Sequence, residues 1–334
     1  MTDTIDRPAT TTGPYVRPDV RGFLDYLASV PGPKTHELDA ATARQMYYAM
    51  KDVADPPVGD LAVIRDLTIP GTAGAIKARL FDVRETRAPG PVVVFYHGGG
   101  FVIGDIDTHA SFTAEMSRQL DLPVVSIDYR LAPEARWPAA PEDCETAARW
   151  VAANPAELGR TATSLVLSGD SAGGTLTITT AMALRDDPAA LPVIVQAPIY
   201  PAADMSREYP SFNDFADGYL LTRDTMIWFA DHYQPDATHF RGSPMAGDLV
   251  GLPPAVIVTA SLDPIRDQGR AYAAALVLAG VPVTFREAVG NVHGFITLRQ
   301  AIPSSAGDVA AYLAAVKDAI VEAEGARVMR QAAG

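Results

Sequence analysis

Residues 168–174 read Ser-Gly-Asp-Ser-Ala-Gly-Gly, and they constrain the rest of the chain more than any other stretch. The apolar run Ser164-Leu165-Val166-Leu167 precedes them and a helix-like stretch follows from Thr175, so a strand ends, the chain turns sharply and a helix begins. Gly169 and Gly173 stand two places to either side of Ser171. This spacing fits a nucleophile elbow: the turn is so tight that side chains at the two glycines would collide with neighbouring backbone, while the serine stands exposed at the apex.

Short β-branched or apolar runs begin at Leu61 and predict eight strands: Val63–Ile69, Ala75–Asp82, Pro91–Tyr96, Val124–Asp128, Leu165–Leu167, Val193–Gln196, Ala255–Ala260 and Val281–Glu287. Helix-length segments lie between the later runs, at Ala110–Leu120, Pro141–Asn154, Ala172–Arg185, Gln268–Ala279 and Gly307–Glu324. Strand alternating with helix predicts an open α/β fold, a parallel sheet covered on both faces. Two further helices are expected at Asp19–Ser29 and Asp39–Ala54; in the second, Met46, Met50 and Val53 recur on one face, a spacing read first as packing. The alternation fails between Pro201 and Met245, where aromatic residues mix with Asp, Asn and Pro; so long a segment predicts an insertion over the C-terminal edge of the sheet.

A chain of 334 residues, 48% of them hydrophobic, can bury a large core without disulfides, and its single cysteine, Cys144, cannot form one internally. Its six histidines show no zinc-site spacing, so no metal is expected. Met1–Val20 lacks the basic start and apolar middle of a secretion signal, and no stretch has the roughly 18 apolar residues of a membrane span, so a cytoplasmic protein is expected. A formal charge of −13 disfavours nucleic acid as a partner.

A serine hydroxyl becomes nucleophilic when a base takes its proton, and the base needs an acid to hold its tautomer. On an α/β-hydrolase sheet the order is Ser, acid, His, each on a loop after a strand. Of the histidines after Ser171, only His293 follows a strand candidate; His232 and His239 fall in the inserted segment. The acid is expected after Val256–Ala260, where Asp263 is better placed than Asp267, which lies one helical turn on; the alternative role for Asp263 is to cap the helix that Pro264 would open. Backbone N–H groups for a developing oxyanion are expected from His97-Gly98-Gly99-Gly100, after the strand ending at Tyr96, and from Ala172 at the start of the helix. His97 itself is expected to fix the loop. The glycine run lacks the spacing of a phosphate loop.

These stretches together resemble the hormone-sensitive-lipase-like α/β-hydrolases, the bacterial family IV esterases of the Gly-Asp-Ser-Ala-Gly type. The matching segments are His97–Phe101, Asp128–Glu134, Pro138–Ala140, Gly169–Gly174, Asp263–Asp267 and His293–Phe295, in family order over about two thirds of the chain. The resemblance implies an eight-stranded, mostly parallel sheet flanked by helices, with a helical cap. It implies a carboxylesterase acting on short- to medium-chain acyl esters, without metal or organic cofactor. It assigns Ser171, Asp263 and His293 to the triad, and Gly99, Gly100 and Ala172 to the oxyanion donors. Arg130, Glu134 and Asp143 are read as a supporting polar network.

The expected division is 1–55 as the N-terminal part of the cap, 56–200 as core, 201–245 as inserted cap and 246–334 as core. Many members of the family pair through an edge strand, which makes Val281–Glu287 a candidate homodimer contact. Phe23, Tyr219, Trp228 and Phe229 are candidates to line a substrate pocket, with packing as their alternative role. A ligand-binding protein on the same fold, an amidase and an acyl transferase are the rival functions; the presence of His293 argues against the first.

Overall fold

The computed structural model describes residues 13–333; residues 1–12, which fall in the expected 1–55 cap segment and in the stretch read above against a secretion signal, lie outside them. In chain order the elements are α1 (Pro18–Ser29), α2 (Ala40–Ala54), β1 (Val63–Gly71), β2 (Gly74–Asp82), β3 (Gly90–Tyr96), α3 (Ala110–Leu120), β4 (Val124–Asp128), α4 (Ala139–Ala152), β5 (Ala162–Asp170), α5 (Ala172–Asp186), β6 (Val193–Ile199), α6 (Pro210–Asp214), α7 (Arg223–Tyr233), β7 (Ala255–Leu262), α8 (Arg266–Leu278), β8 (Val283–Val292) and α9 (Ser305–Ala333).

The strands form one eight-stranded sheet in the order β1-β2-β4-β3-β5-β6-β7-β8. β2 runs antiparallel to β1 and β4, and every other pairing is parallel. The period-two geometry of a strand sorts its side chains onto two cores. In β3, Val92, Val94 and Tyr96 pack with Cys144 of α4 and Leu176 of α5, whereas Val93 and Phe95 pack with Phe112 of α3 and Tyr312 of α9. Both faces are covered, which is why these strands read as continuous apolar runs. β3 lies between β4 and β5, so the chain leaves it in one direction and later returns on the other side; the loops after β3 and β5 face each other across the crevice that such a switch opens.

The last strand differs from expectation. It begins at Val283 and runs on to Val292, which pairs with Leu262 across a register shift. Gly290, beyond the expected strand end at Glu287, is accommodated within it at φ +78°. His293 therefore follows the strand directly.

A buried ion pair ties the N-terminal segment to the loop after β8. Asp55, at the end of α2, accepts from Arg299 Nε at 2.8 Å and Nη2 at 2.7 Å, and Arg299 Nη2 also donates to Ser111 Oγ at 2.7 Å. The Ala54 carbonyl accepts from the N–H groups of Gln300 and Ala301. Removing one partner of such a pair leaves a buried uncompensated charge and costs about 3–5 kcal/mol. Asp55→Asn is accordingly expected to lower the unfolding free energy in urea by about that amount; an unchanged midpoint and slope would show the pair to be idle.

Candidate active site

Ser171 sits between β5 and α5 at φ 55°, ψ −116°, a strained conformation for a residue with a side chain. Its N–H donates to the Ile199 carbonyl at 2.9 Å, which anchors the turn to β6. A Cβ at Gly169 would lie 2.5 Å from the Tyr96 carbonyl oxygen, and one at Gly173 would run into the same oxygen. The strand, the turn and the helix can pack this closely only with glycine at both places.

His293 Nε2 lies 2.9 Å from Ser171 Oγ, and its Nδ1 lies 2.7 Å from Asp263 Oδ2. Asp263 is wholly buried, and its other oxygen accepts from the Ile265 N–H at 2.8 Å, so the carboxylate both faces the imidazole and shapes the turn into α8. Asp267 is turned elsewhere, bonded to Arg266 Nε at 2.8 Å and to the Ser211 N–H at 3.1 Å. His232 Nδ1 lies 2.8 Å from the Trp228 carbonyl and His239 packs edge-on to Trp137; both remain apart from Ser171.

The glycine run separates into two roles. Gly99 and Gly100 adopt φ +115° and +60°, and their N–H groups, with that of Ala172, have no acceptor among the described residues. Gly98 does not match its expected place among the oxyanion donors: its N–H is committed to Asp170 Oδ1 at 2.8 Å, and a Cβ there would fall 2.9 Å from Asp170 Cγ. His97 stacks on Tyr129 with ring centroids 4.3 Å apart, and the Tyr129 hydroxyl donates to the His97 carbonyl at 2.7 Å. Burial, aided by the nearby His109, pushes the His97 imidazole down to about 3, so it is neutral and holds the loop by shape and hydrogen bonds.

Two residues that the sequence did not single out for the site complete its floor. Asp170, 4% exposed, lies beneath the glycine loop, and His109 Nε2 approaches its Oδ1 at 3.2 Å in a charge contact off the line of a good hydrogen bond. Burial, the largest single influence, would raise the carboxyl of Asp170, but the charge and side-chain contact of His109, together with His293 and His97, hold it below the usual carboxylate range. No local pattern marks His109, the residue just before α3.

A cavity of about 250 Å³ opens above Ser171, Gly99, Gly100 and His293. Met46 and Met50 of α2 border it, so the stripe expected as packing faces open space there, and Val53 is exposed. Met205, Met226 and Phe229 close the opposite wall. Of the other expected lining aromatics, Phe23 packs with Val20, Leu24 and Val292, Tyr219 against Phe215, and Trp228 beside Phe229; none borders the cavity. The supporting network also divides: Arg130 pairs with buried Asp143 at 2.8 Å, whereas Glu134 turns outward to Arg44 of α2 at 2.6 Å. Among the described residues no group of three His, Cys, Asp or Glu side chains could hold a metal ion.

Residues 93–297 match a protein family described by the alpha/beta hydrolase fold. The chain is 37% identical to the esterase LipI of Mycobacterium tuberculosis over 77% of this chain and 82% of that one. It is 40% identical to the carboxylesterase NlhH of the same organism over 69% and 74%, respectively. Among solved structures, an ester hydrolase from the metagenome of Lake Arreo, complexed with a derivative of bipyridine phosphonate, superposes with a TM-score of 0.86 at 35% identity, covering 91% of this chain and 98% of that one. A thermostable esterase from Pseudomonas putida gives a TM-score of 0.87 at 28% identity, with coverage of 92% and 98%.

Proposed function

The chain belongs to the hormone-sensitive-lipase-like esterases of the α/β-hydrolase family, and from that premise we propose that it hydrolyses short- to medium-chain carboxylic esters by two-step acyl transfer through Ser171, His293 and Asp263. It is a serine carboxylesterase acting on small-molecule esters. The observation that carries the mechanism is the continuous line Asp263–His293–Ser171, with contacts of 2.7 and 2.9 Å.

His293 Nε2 takes the proton of Ser171 as Oγ attacks the ester carbonyl, and Asp263 steadies the imidazolium. The carbonyl oxygen, becoming negative, receives the N–H groups of Gly99, Gly100 and Ala172; one such donor is typically worth about 3 kcal/mol of transition-state stabilisation. His293 then protonates the departing alcohol, and a water activated by the same imidazole releases the acid from the acyl-enzyme. Residues 13–55 and 201–245 act as a cap over a core of 56–200 and 246–333, with α2 and α7 forming apolar walls that keep bulk water from the acyl group. The exposed edge of β8, carrying Phe285 and Val289, is the candidate face for a homodimer. No helix among the described residues is long and apolar enough to cross a membrane.

The cavity is smaller than the roughly 300–1,000 Å³ of sites for drug-sized ligands, which supports small acyl groups. Across p-nitrophenyl esters from acetate to palmitate, kcat/KM is expected to peak at short to medium chains and fall by at least about 10²-fold at palmitate, some 3 kcal/mol of lost transition-state binding. A maximum at palmitate would overturn the acyl-length assignment, and absence of turnover on every ester by the folded protein would overturn the esterase.

A further inference from the structure

The contacts around His109 favour a hydrogen on each of its ring nitrogens. The Thr108 hydroxyl has one hydrogen and two lone pairs. It donates to the Asp105 carbonyl at 2.8 Å and accepts from the Asp105 N–H at 2.9 Å, so its contact with His109 Nδ1 at 3.0 Å requires Nδ1 to carry a hydrogen. The other ring nitrogen, Nε2, makes no hydrogen bond but lies 3.2 Å from Asp170 Oδ1 in the off-line charge contact described above, where a lone pair would meet a negative oxygen. A hydrogen is favoured there too. With both nitrogens protonated, His109 is an imidazolium at zero exposure.

We propose that Asp170 and His109 form a buried ion pair that positions the oxyanion loop: Asp170 holds the Gly98 N–H and thereby sets the direction of the Gly99 and Gly100 N–H groups, while His109 cancels the charge of Asp170 so that it does not repel the oxyanion. This rests on the esterase mechanism above. A carboxylate is the stronger acceptor for a backbone N–H, but an unpaired one bordering the cavity would oppose the charge that the site exists to stabilise. The pair resolves that conflict. Its effect reaches the base as well, since the Tyr200 hydroxyl lies 3.4 Å from Asp170 Oδ2 and its ring packs 4.5 Å from that of His293. The charged and titratable groups that face His109 are Asp170 on β5, Asp105 on its own loop, His97 after β3 and Tyr47 of α2; burial, the largest single influence, lowers the His109 imidazole, and Asp170 and Asp105 together raise it above its ordinary value. These are positioning residues, since neither is placed to exchange a proton with substrate.

The test is a double-mutant cycle of charge-neutralising variants on a short-chain ester. His109→Gln is expected to lower kcat about 10²-fold, the scale of a lost oxyanion donor, with KM within about threefold. Asp170→Asn, which keeps an acceptor for Gly98, is expected to lose about tenfold, and the double variant should return to that level, because removing the stranded charge relieves the first lesion. Losses that multiply in the double variant would mean two independent structural roles and overturn the pairing. Ring ¹⁵N shifts of His109 in the wild-type protein give a readout that does not depend on any variant folding: both nitrogens protonated at neutral pH is the expected result, and a neutral ring overturns the proposal. Failure of the esterase mechanism itself would appear separately, as wild-type protein without turnover.

Discussion

Ser171→Ala is expected to reduce kcat on a short-chain p-nitrophenyl ester about 10⁶-fold, the scale seen when a triad nucleophile is removed. The size follows from how completely the fold commits this one atom. The strained backbone at φ 55° holds Oγ in reach of His293 Nε2 at 2.9 Å, and the N–H of the next residue, Ala172, opens α5 beside it. The one cysteine cannot take over as nucleophile: Cys144, on α4, is buried in the core, and burial raises its thiol so that no thiolate forms. Alanine removes the attacking oxygen and leaves the packing of Gly169 and Gly173 against Tyr96 untouched, so the thermal midpoint should remain within a few degrees of wild type. Residual activity within tenfold of wild type, with contaminating enzyme excluded, would place the nucleophile elsewhere.

Asp263→Asn should cost about 10⁴-fold in kcat, with folding preserved. The carboxylate makes two different bonds, Oδ1 accepting from the Ile265 N–H at 2.8 Å and Oδ2 facing His293 Nδ1 at 2.7 Å. An asparagine can keep its carbonyl on Ile265, which leaves its NH₂ pointing at Nδ1. The ring then answers with a lone pair on Nδ1 and a hydrogen on Nε2, and a protonated Nε2 cannot take the proton of Ser171. Asp267→Asn is the control: that carboxylate holds Arg266 and the Ser211 N–H, so its loss should change stability more than kcat, with activity within about tenfold. Equal losses in the two variants would exclude Asp263 as the specific partner of His293.

Much of this was legible in the sequence because each participant follows a strand. The apolar runs before Ser171 and Asp263 announce parallel strands buried on both faces, the β-branched run before His293 announces the parallel edge strand beside them, and residues leaving the same ends of such strands gather in one crevice. Other features were not legible, for definite physical reasons. Three successive glycines look alike in sequence; only backbone direction separates Gly98, turned to Asp170, from Gly99 and Gly100 at positive φ. Helical periodicity marks an apolar face without saying whether that face meets core or cavity, which is why Met46 and Met50 read as packing. The contact of His109 with Asp170 joins the start of α3 to the end of β5, and nothing in either local sequence encodes it. The apolar run reads as ending at Glu287, yet pairing of Val292 with Leu262 carries β8 past Gly290.

The central claim is that ester hydrolysis passes through a covalent adduct on Ser171, and it is tested most directly by titrating the protein with an alkyl p-nitrophenyl phosphonate and mapping the adduct by peptide mass spectrometry. The expected result is one phosphonyl group per chain, on Ser171, with activity lost in proportion to labelling and no incorporation in Ser171→Ala. Labelling on another residue, or full activity in protein labelled at Ser171, would contradict it.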